Sequence, residues 1–211
     1  MKIPVYCRDF VYKEVPMSKY AIMMLFITHI LSADIVIRPI TMADVPATLE
    51  LNATICQEYF KPMFIKYYTH TPIGKDPDYY LGLDIINDTK QYPECAQNTG
   101  NEKLWIAYDQ EQAKVIGLIM FHLEHEDTVE VDLLLVEQNY RHQGIGKRLM
   151  QAVLMPYEEI KRVGVCVFSH NYPALTFYQS LRFESKTLPE DRTTLYGLPF
   201  EELYVYLEKQ L

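Results

Sequence analysis

The sequence predicts an α/β (α+β) domain, a mixed and mostly antiparallel central sheet flanked by helices, and three observations carry the prediction. Three strand-like runs, Leu104 to Tyr108, Lys114 to His122 and Val129 to Val136, follow one another across the polar turns Asp109 to Ala113 and Glu124 to Asp127. That is the pattern of an antiparallel meander. Ile145, Leu149 and Val153 then fall four residues apart, on one face of a helix. Val163 to Phe168 is a continuous apolar run flanked by Gly164 and Ser169, the signature of a strand buried on both faces.

The remaining elements fall into place around these. The folded unit begins near Asp34 with the β-branched run Ile35-Val36-Ile37-Arg38-Pro39. Thr41-Met42-Ala43-Asp44 reads as an N-cap with an acid three residues on, and helical spacing continues through Val45, Leu49 and Ile55. From Tyr59 to Gly100 the pattern is poor, because Pro62, Pro72, Pro77 and Pro93 punctuate it; short helices and loops are expected, with no second domain. Asn171 and Pro173 announce a helix through Leu181, and Phe200 to Leu207 closes the chain as a last strand. The order is β-α-(irregular)-β-β-β-α-β-α-β(β), with residues 34–211 as the domain and residues 1–33 as an N-terminal extension.

Composition removes several classes of function. The 211 residues are 49% hydrophobic and 23% charged, which suits a packed core. Lys plus Arg is 20 against 28 for Asp plus Glu, a net charge of −8, so no basic face is available for nucleic acid. Cys7, Cys56, Cys95 and Cys166 form no CxxC pair and read as reduced thiols. His122 and His125 lack a third convergent ligand and read as part of a solvated turn. The apolar run Tyr20 to Ala33 is too short for a membrane span of about 20 residues. Its length suits a signal-peptide core, while Asp9, Glu14 and His29 speak for an appendage instead. A cytoplasmic location is the expectation, with export or tethering through residues 17–33 as the alternative.

The chemistry concentrates in the stretch Leu133 to Leu149. A strand runs into the loop Arg141-His142-Gln143-Gly144-Ile145-Gly146-Lys147 and then directly into a helix. Free backbone N–H groups and the positive end of the helix dipole therefore converge on one spot, which is an anion site suited to phosphate. Gly144 and Gly146 would let the backbone approach a ligand closely. The loop has neither the GxxxxGK[ST] of a nucleotide P-loop nor the glycine spacing of a dinucleotide fold.

Arg141-x-x-Gly144-x-Gly146 after a strand ending Leu-x-Val, followed about 25 residues later by Asn171-x-x-Ala174-x-x-Phe177-Tyr178, resembles the GCN5-related N-acetyltransferase (GNAT) family. The resemblance covers roughly Ile35 to Leu207 and is most specific from Val129 to Phe183. It implies a V-shaped splay between the fourth and fifth strands, in which the pantetheine arm of acetyl-CoA lies like an added strand. It assigns the backbone of Leu134, Leu135 and Val136 to that arm, the amides of Arg141, His142, Gln143, Gly144, Ile145, Gly146 and Lys147 to the pyrophosphate, Asn171 to the cofactor arm and Tyr178 to its sulfur.

The activity so implied is direct acetyl transfer from acetyl-CoA to a primary amine, small or on a peptide. Glu130 stands where family members place the general base, and Asp132, two residues on, shares its strand face. A backbone N–H near Val136 would hold the oxyanion, and Tyr178 would protonate the leaving thiolate. Each has a plainer alternative: Tyr178 as a core tyrosine, Glu130 and Asp132 as a solvated strand face, Lys147 and Arg148 as surface charge. A non-catalytic acetyl-CoA sensor is the competing function, and a homodimer is compatible with the reading. Two positions depart from the pattern. Pro156 would end or kink the helix after the loop, and Arg182 replaces a common glycine at a cost of about 1 kcal/mol if its backbone is left-handed. The aromatics of Tyr59 to Gly100, with Asp76, Asp78 and Asp84, are candidates to receive a cationic amine.

Overall fold

Seven strands pair in the order β1-β2-β3-β4-β5-β9-β6 in the computed structural model, which describes residues 35–154, 159–187, 194–195 and 198–211, with the side chains of 83–86 and 194–201 left aside. The expectations for residues 1–33 and for Pro156 lie outside the described residues. Strands β1 (Ile35–Pro39), β2 (Lys103–Asp109), β3 (Lys114–His125) and β4 (Thr128–Val136) form the antiparallel meander, and β5 (Arg162–Phe168) pairs with β4 in parallel. β9 (Tyr204–Gln210) is antiparallel to β5 and carries the short edge strand β6 (Glu184–Ser185). β7 (Thr194–Leu195) and β8 (Leu198–Pro199) make a separate two-stranded ladder.

Helices cover both faces, as alternation along the strands requires. On one face α5 (Ile145–Leu154) and α6 (Tyr172–Ser180) bury Ile145, Leu149, Val153 and Tyr178 against Ile119, Val129, Val131, Val163 and Val165. On the other, α1 (Val45–Ile55) and α4 (Pro77–Gln97) bury Leu51, Ile55 and Tyr92 against Ile106, Leu118 and Met120. Beside them α2 (Lys61–Tyr67) and α3 (Pro72–Lys75) build an aromatic cluster of Phe64, Tyr68 and Ile73, closed by Leu203 of the one-turn α7 (Phe200–Leu203) and by Phe168 and Tyr204. Among the described residues no helix is long and apolar enough to cross a membrane.

Three expectations need correction. The first helix begins at Val45 with Asp44 as its N-cap, three residues later than the Thr41 reading. Asp44 is held elsewhere: Arg38 donates to its two oxygens at 2.7 and 2.8 Å, and Thr41 donates its N–H and hydroxyl to it at 2.9 and 2.6 Å. The segment Tyr59 to Gly100 is mostly helical, and α4 alone runs for 21 residues. Pro62, Pro72 and Pro77 each lie in a first helical turn, where a missing N–H costs nothing, and Pro93 sits in the last part of α4 before Asn98 ends it at φ 56°. The closing strand starts at Tyr204 rather than Phe200, because Leu203 turns into the aromatic cluster as part of α7.

Candidate active site

A change of register and a change of neighbour open the sheet beside β4. Between the pairs Met120–Leu133 and Phe121–Val131 the register slips, leaving Asp132 as the extra residue of a bulge. Parallel pairing of β4 with β5 stops at Val131–Val165, while β4 continues to Val136 and β5 to Phe168. The two strands diverge there. A cleft of about 1200 Å³ runs through this gap, lined by consecutive residues of β4 from Asp132 to Val136 and of β5 from Val165 to Phe168.

One end of the cleft is the glycine loop. Tyr140 and Arg141 close a short turn onto Glu137 and Gln138, and the first bond of α5 is Arg148 N–H to Gly144 C=O at 3.0 Å. The N–H groups of Ile145, Gly146 and Lys147 precede that bond, so helix geometry leaves them without intrahelical acceptors. Arg141 fixes the loop by donating Nε–H to Val136 C=O at 3.0 Å and by lying over the Tyr59 ring at 5.4 Å. Arg141, His142, Gly144, Ile145, Gly146 and Lys147 line the cleft. Gln143 does not; its amide donates to Asn139 C=O at 3.0 Å.

The two glycines have different surroundings in the fold. A Cβ at Gly144 would meet no protein atom within 4 Å, and its backbone is left-handed at φ 79°, a conformation that favours glycine. A Cβ at Gly146 would meet the Phe177 ring at 3.2 Å, so that glycine lets α5 and α6 pack closely. His142 is also left-handed, at φ 63°. The Arg148 side chain does not line the cleft and donates to Ile35 C=O at 2.5 Å.

Asn171 caps α6, its Oδ1 accepting from Ala174 N–H at 3.3 Å and from the Tyr59 hydroxyl at 2.8 Å. Tyr59 thus touches both Arg141 and Asn171 and joins the helical side of the cleft to the loop side. Sequence reasoning counted it only among the aromatics of Tyr59 to Gly100, since nothing local distinguishes it from its neighbours. Tyr178 lines the cleft at 4% exposure, and burial pushes its phenol well above the ordinary tyrosine range. A neutral, proton-bearing hydroxyl results.

The two β4 carboxylates have different surroundings. Glu130 is 3% exposed and accepts a hydrogen bond from the Tyr206 hydroxyl at 2.7 Å. Gly164 on β5 makes its burial feasible, because a Cβ there would collide with Glu130 Oε1 and the Tyr206 hydroxyl. Asp132 lines the cleft and meets His122 Nδ1 at 2.8 Å, while His122 Nε2 meets Glu124 at 2.8 Å. The hydrogen bond to Asp132, ahead of the one to Glu124, pushes the His122 imidazole up to about 9. His122 is therefore a half-buried cation of β3 at neutral pH, not part of a solvated turn.

The helical side contributes Asn52, Cys56, Phe60, Phe64, Asp88 and Gln91. Of the acids proposed from sequence on this side, Asp76 caps α4 by accepting from Tyr79 N–H at 3.2 Å, and Asp78 pairs with Lys61 at 2.7 Å. Both are structural, and neither lines the cleft. The Asp84 side chain lies outside the described residues.

Residues 62–183 match the model of the Acetyltransferase (GNAT) family. The chain is 31% identical over 113 residues to Probable N-acetyltransferase Rv2775 of Mycobacterium tuberculosis, which is 50% of this chain and 62% of that protein, so it spans less than two thirds of that relative's length. Among solved structures it resembles the PaiA N-acetyltransferase of Thermoplasma acidophilum in complex with coenzyme A, with a TM-score of 0.61 at 19% identity over 84% of this chain and 99% of that one. It also resembles Arabidopsis thaliana NAA60 in complex with a bisubstrate analogue, with a TM-score of 0.54 at 20% identity over 83% and 97%. At such identities the likeness is one of fold.

Proposed function

The chain belongs to the Acetyltransferase (GNAT) family, and from that premise we propose that it moves an acetyl group from acetyl-CoA to the nitrogen of a primary amine by direct attack. The observation that carries the proposal is the cleft itself, which passes through the β4–β5 gap from the glycine loop at one end to Asp132 and Tyr178 along its walls. The loop amides and the α5 dipole suit the pyrophosphate, with Arg141 and Lys147 adding positive charge. The β4 edge freed beyond Val131 offers backbone groups at Leu134, Leu135 and Val136 to the pantetheine arm. The spare amide N–H groups of Asn171 suit the same arm.

In the reaction the amine nitrogen forms a bond to the thioester carbonyl carbon, the oxygen takes up negative charge, and the carbon–sulfur bond breaks. A backbone N–H beside Val136 stabilises that oxygen. The nitrogen must be neutral to attack, so its proton goes to a β4 carboxylate. Glu130 is the base we assign, held in place by Tyr206; it does not itself line the cleft, so the proton reaches it through an intervening water. Asp132 is the second candidate, and one observation favours it: its side chain lines the cleft. The departing thiolate takes the Tyr178 proton. Burial that keeps this phenol neutral also raises the basicity of a thiolate beside it, so the transfer is matched.

The test is acetyl transfer from acetyl-CoA to a panel of primary amines. Tyr178→Phe should lower kcat by about 100-fold or more, the usual scale for a lost proton donor, and leave acetyl-CoA affinity within about threefold. Glu130→Gln should lower kcat and flatten the acid limb of the pH–rate profile more than Asp132→Asn does, and the reverse order moves the base to Asp132. Binding of acetyl-CoA with no transfer to any amine would favour a sensor over an enzyme.

A further inference from the structure

Tyr59 stands in the π-helical turn Cys56–Phe60 between α1 and α2, where Lys61 N–H bonds to Cys56 C=O five residues back. Such turns are rare and recur at functional sites. Two contacts run from this turn to parts of the cleft that are distant in the chain. The Tyr59 hydroxyl donates to Asn171 Oδ1 at 2.8 Å, and the Arg141 guanidinium lies over the Tyr59 ring at 5.4 Å. Tyr59, Asn171 and Arg141 all line the cleft.

The hydroxyl fixes how the Asn171 amide is held. A backbone N–H only donates, so the amide atom that meets Ala174 N–H is the oxygen. At 3.3 Å that bond alone holds the amide loosely, and the shorter bond from Tyr59 to the same oxygen adds the second restraint. Both N–H donors of the amide are left for a ligand. Burial pushes the Tyr59 phenol up, against the opposing Arg141 charge, so the donated proton stays in place at neutral pH.

The ring has a separate task. Arg141 is tied at one edge of its guanidinium, where Nε–H donates to Val136 C=O at 3.0 Å, and the face of the Tyr59 ring supports the rest. The ring is itself braced by Phe60, edge-on with centroids 5.5 Å apart, and Phe60 meets Phe168 at 6.0 Å. Resting on the acetyltransferase reading above, we propose that Tyr59 is a positioning residue for the donor, its hydroxyl setting the Asn171 amide for the pantetheine arm and its ring setting Arg141 for the pyrophosphate.

The experiment measures acetyl-CoA affinity by calorimetry for full-length chains in double-mutant cycles, with urea unfolding of each chain alongside. Tyr59→Phe removes only the hydroxyl and keeps the ring and its packing. Its dissociation constant should rise about 3- to 10-fold, the scale of one hydrogen bond, with the unfolding free energy unchanged. In an Asn171→Ala background the same substitution should alter affinity by less than about twofold, because the group it acts through is gone. Tyr59→Leu removes the ring as well and should weaken binding about a further threefold, the scale of a cation–π contact, a loss that disappears in an Arg141→Ala background. Unchanged affinity in Tyr59→Phe, or an equal loss with and without Asn171, overturns the inference while leaving the donor site intact. A loss matched by a fall in unfolding free energy overturns it too, since packing alone then accounts for Tyr59. A Leu variant that binds as well as the Phe variant overturns the assignment of Arg141 to the ring. Absence of acetyl-CoA binding to the wild-type chain removes the premise as well as the inference.

Discussion

The wall of the cleft from Val136 to Lys147 is one uninterrupted stretch of chain, whereas the wall facing it gathers Asn52, Tyr59, Phe64, Asp88 and Tyr204 from separate elements. The first wall presents backbone: amides at a helix start, a left-handed Gly144 and the strand edge of β4 left free where its pairing with β5 ends. The second presents side chains, and those are held only by tertiary packing. Phe64 is 1% exposed and meets Phe168 edge-on with ring centroids 4.9 Å apart. The contrast teaches where each kind of damage should appear. Changes in the loop should cost ligand affinity with little effect on stability, and changes in the helical wall should cost stability first.

The largest expected effect breaks the helical wall. Phe64→Ala should destabilise the fold by about 3–5 kcal/mol, as loss of a buried aromatic does, measured by urea unfolding. A loss under about 1 kcal/mol would mean that the aromatic cluster is not a packed unit. Next comes the loop. Gly144→Glu sets a carboxylate at the anion site in a left-handed backbone, and acetyl-CoA affinity should fall about 100-fold, or about 2.7 kcal/mol, with a smaller change in unfolding free energy than Phe64→Ala.

Acid sharpens the comparison again, because Asp44 ties β1 to the start of α1. Its hydrogen bonds with Arg38, and after them those from Thr41, pull its carboxyl down to about 2. The folded value lies below the unfolded one of about 3.9, so its stabilisation is complete above that pH and is lost as pH falls toward 2; the contribution is about 2 kcal/mol. Asp44→Asn should flatten that part of the pH–stability curve, and an unchanged curve would remove the pair from the account. The smallest effect belongs to Arg182, which is left-handed at φ 68°. Arg182→Gly relieves the strain and gives back chain entropy, for a net gain of up to about 1 kcal/mol, readable as a small rise in melting temperature.

The same contrast explains how far sequence reasoning reached. The meander, the loop and the order of the last helices were legible because each depends on neighbours in the chain, and period-two and period-four patterns report them directly. The bulge that leaves Asp132 unpaired and the end of β4–β5 pairing leave no such trace; they followed from the family resemblance alone. Prolines misled in the region of α2 to α4, because Pro62, Pro72 and Pro77 break a pattern in the sequence yet open helices in the structure. Gly164 looked like the edge of a strand, and its real use is to leave room for the Glu130 carboxylate from a strand 34 positions earlier. His122 looked solvated because Asp132, which meets it, is ten residues away and on another strand. Asp88 carried no signal, since the Asn52 amide that donates to it stands on a different helix.

The central claim is that the backbone wall takes acetyl-CoA, and calorimetric titration of acetyl-CoA into the full-length chain tests it most directly, with CoA and ATP as controls. Micromolar or tighter binding, shared in part by CoA, absent for ATP and weakened by Gly144→Glu, is the predicted result. Absence of binding at millimolar acetyl-CoA, or binding indifferent to Gly144→Glu, would contradict it.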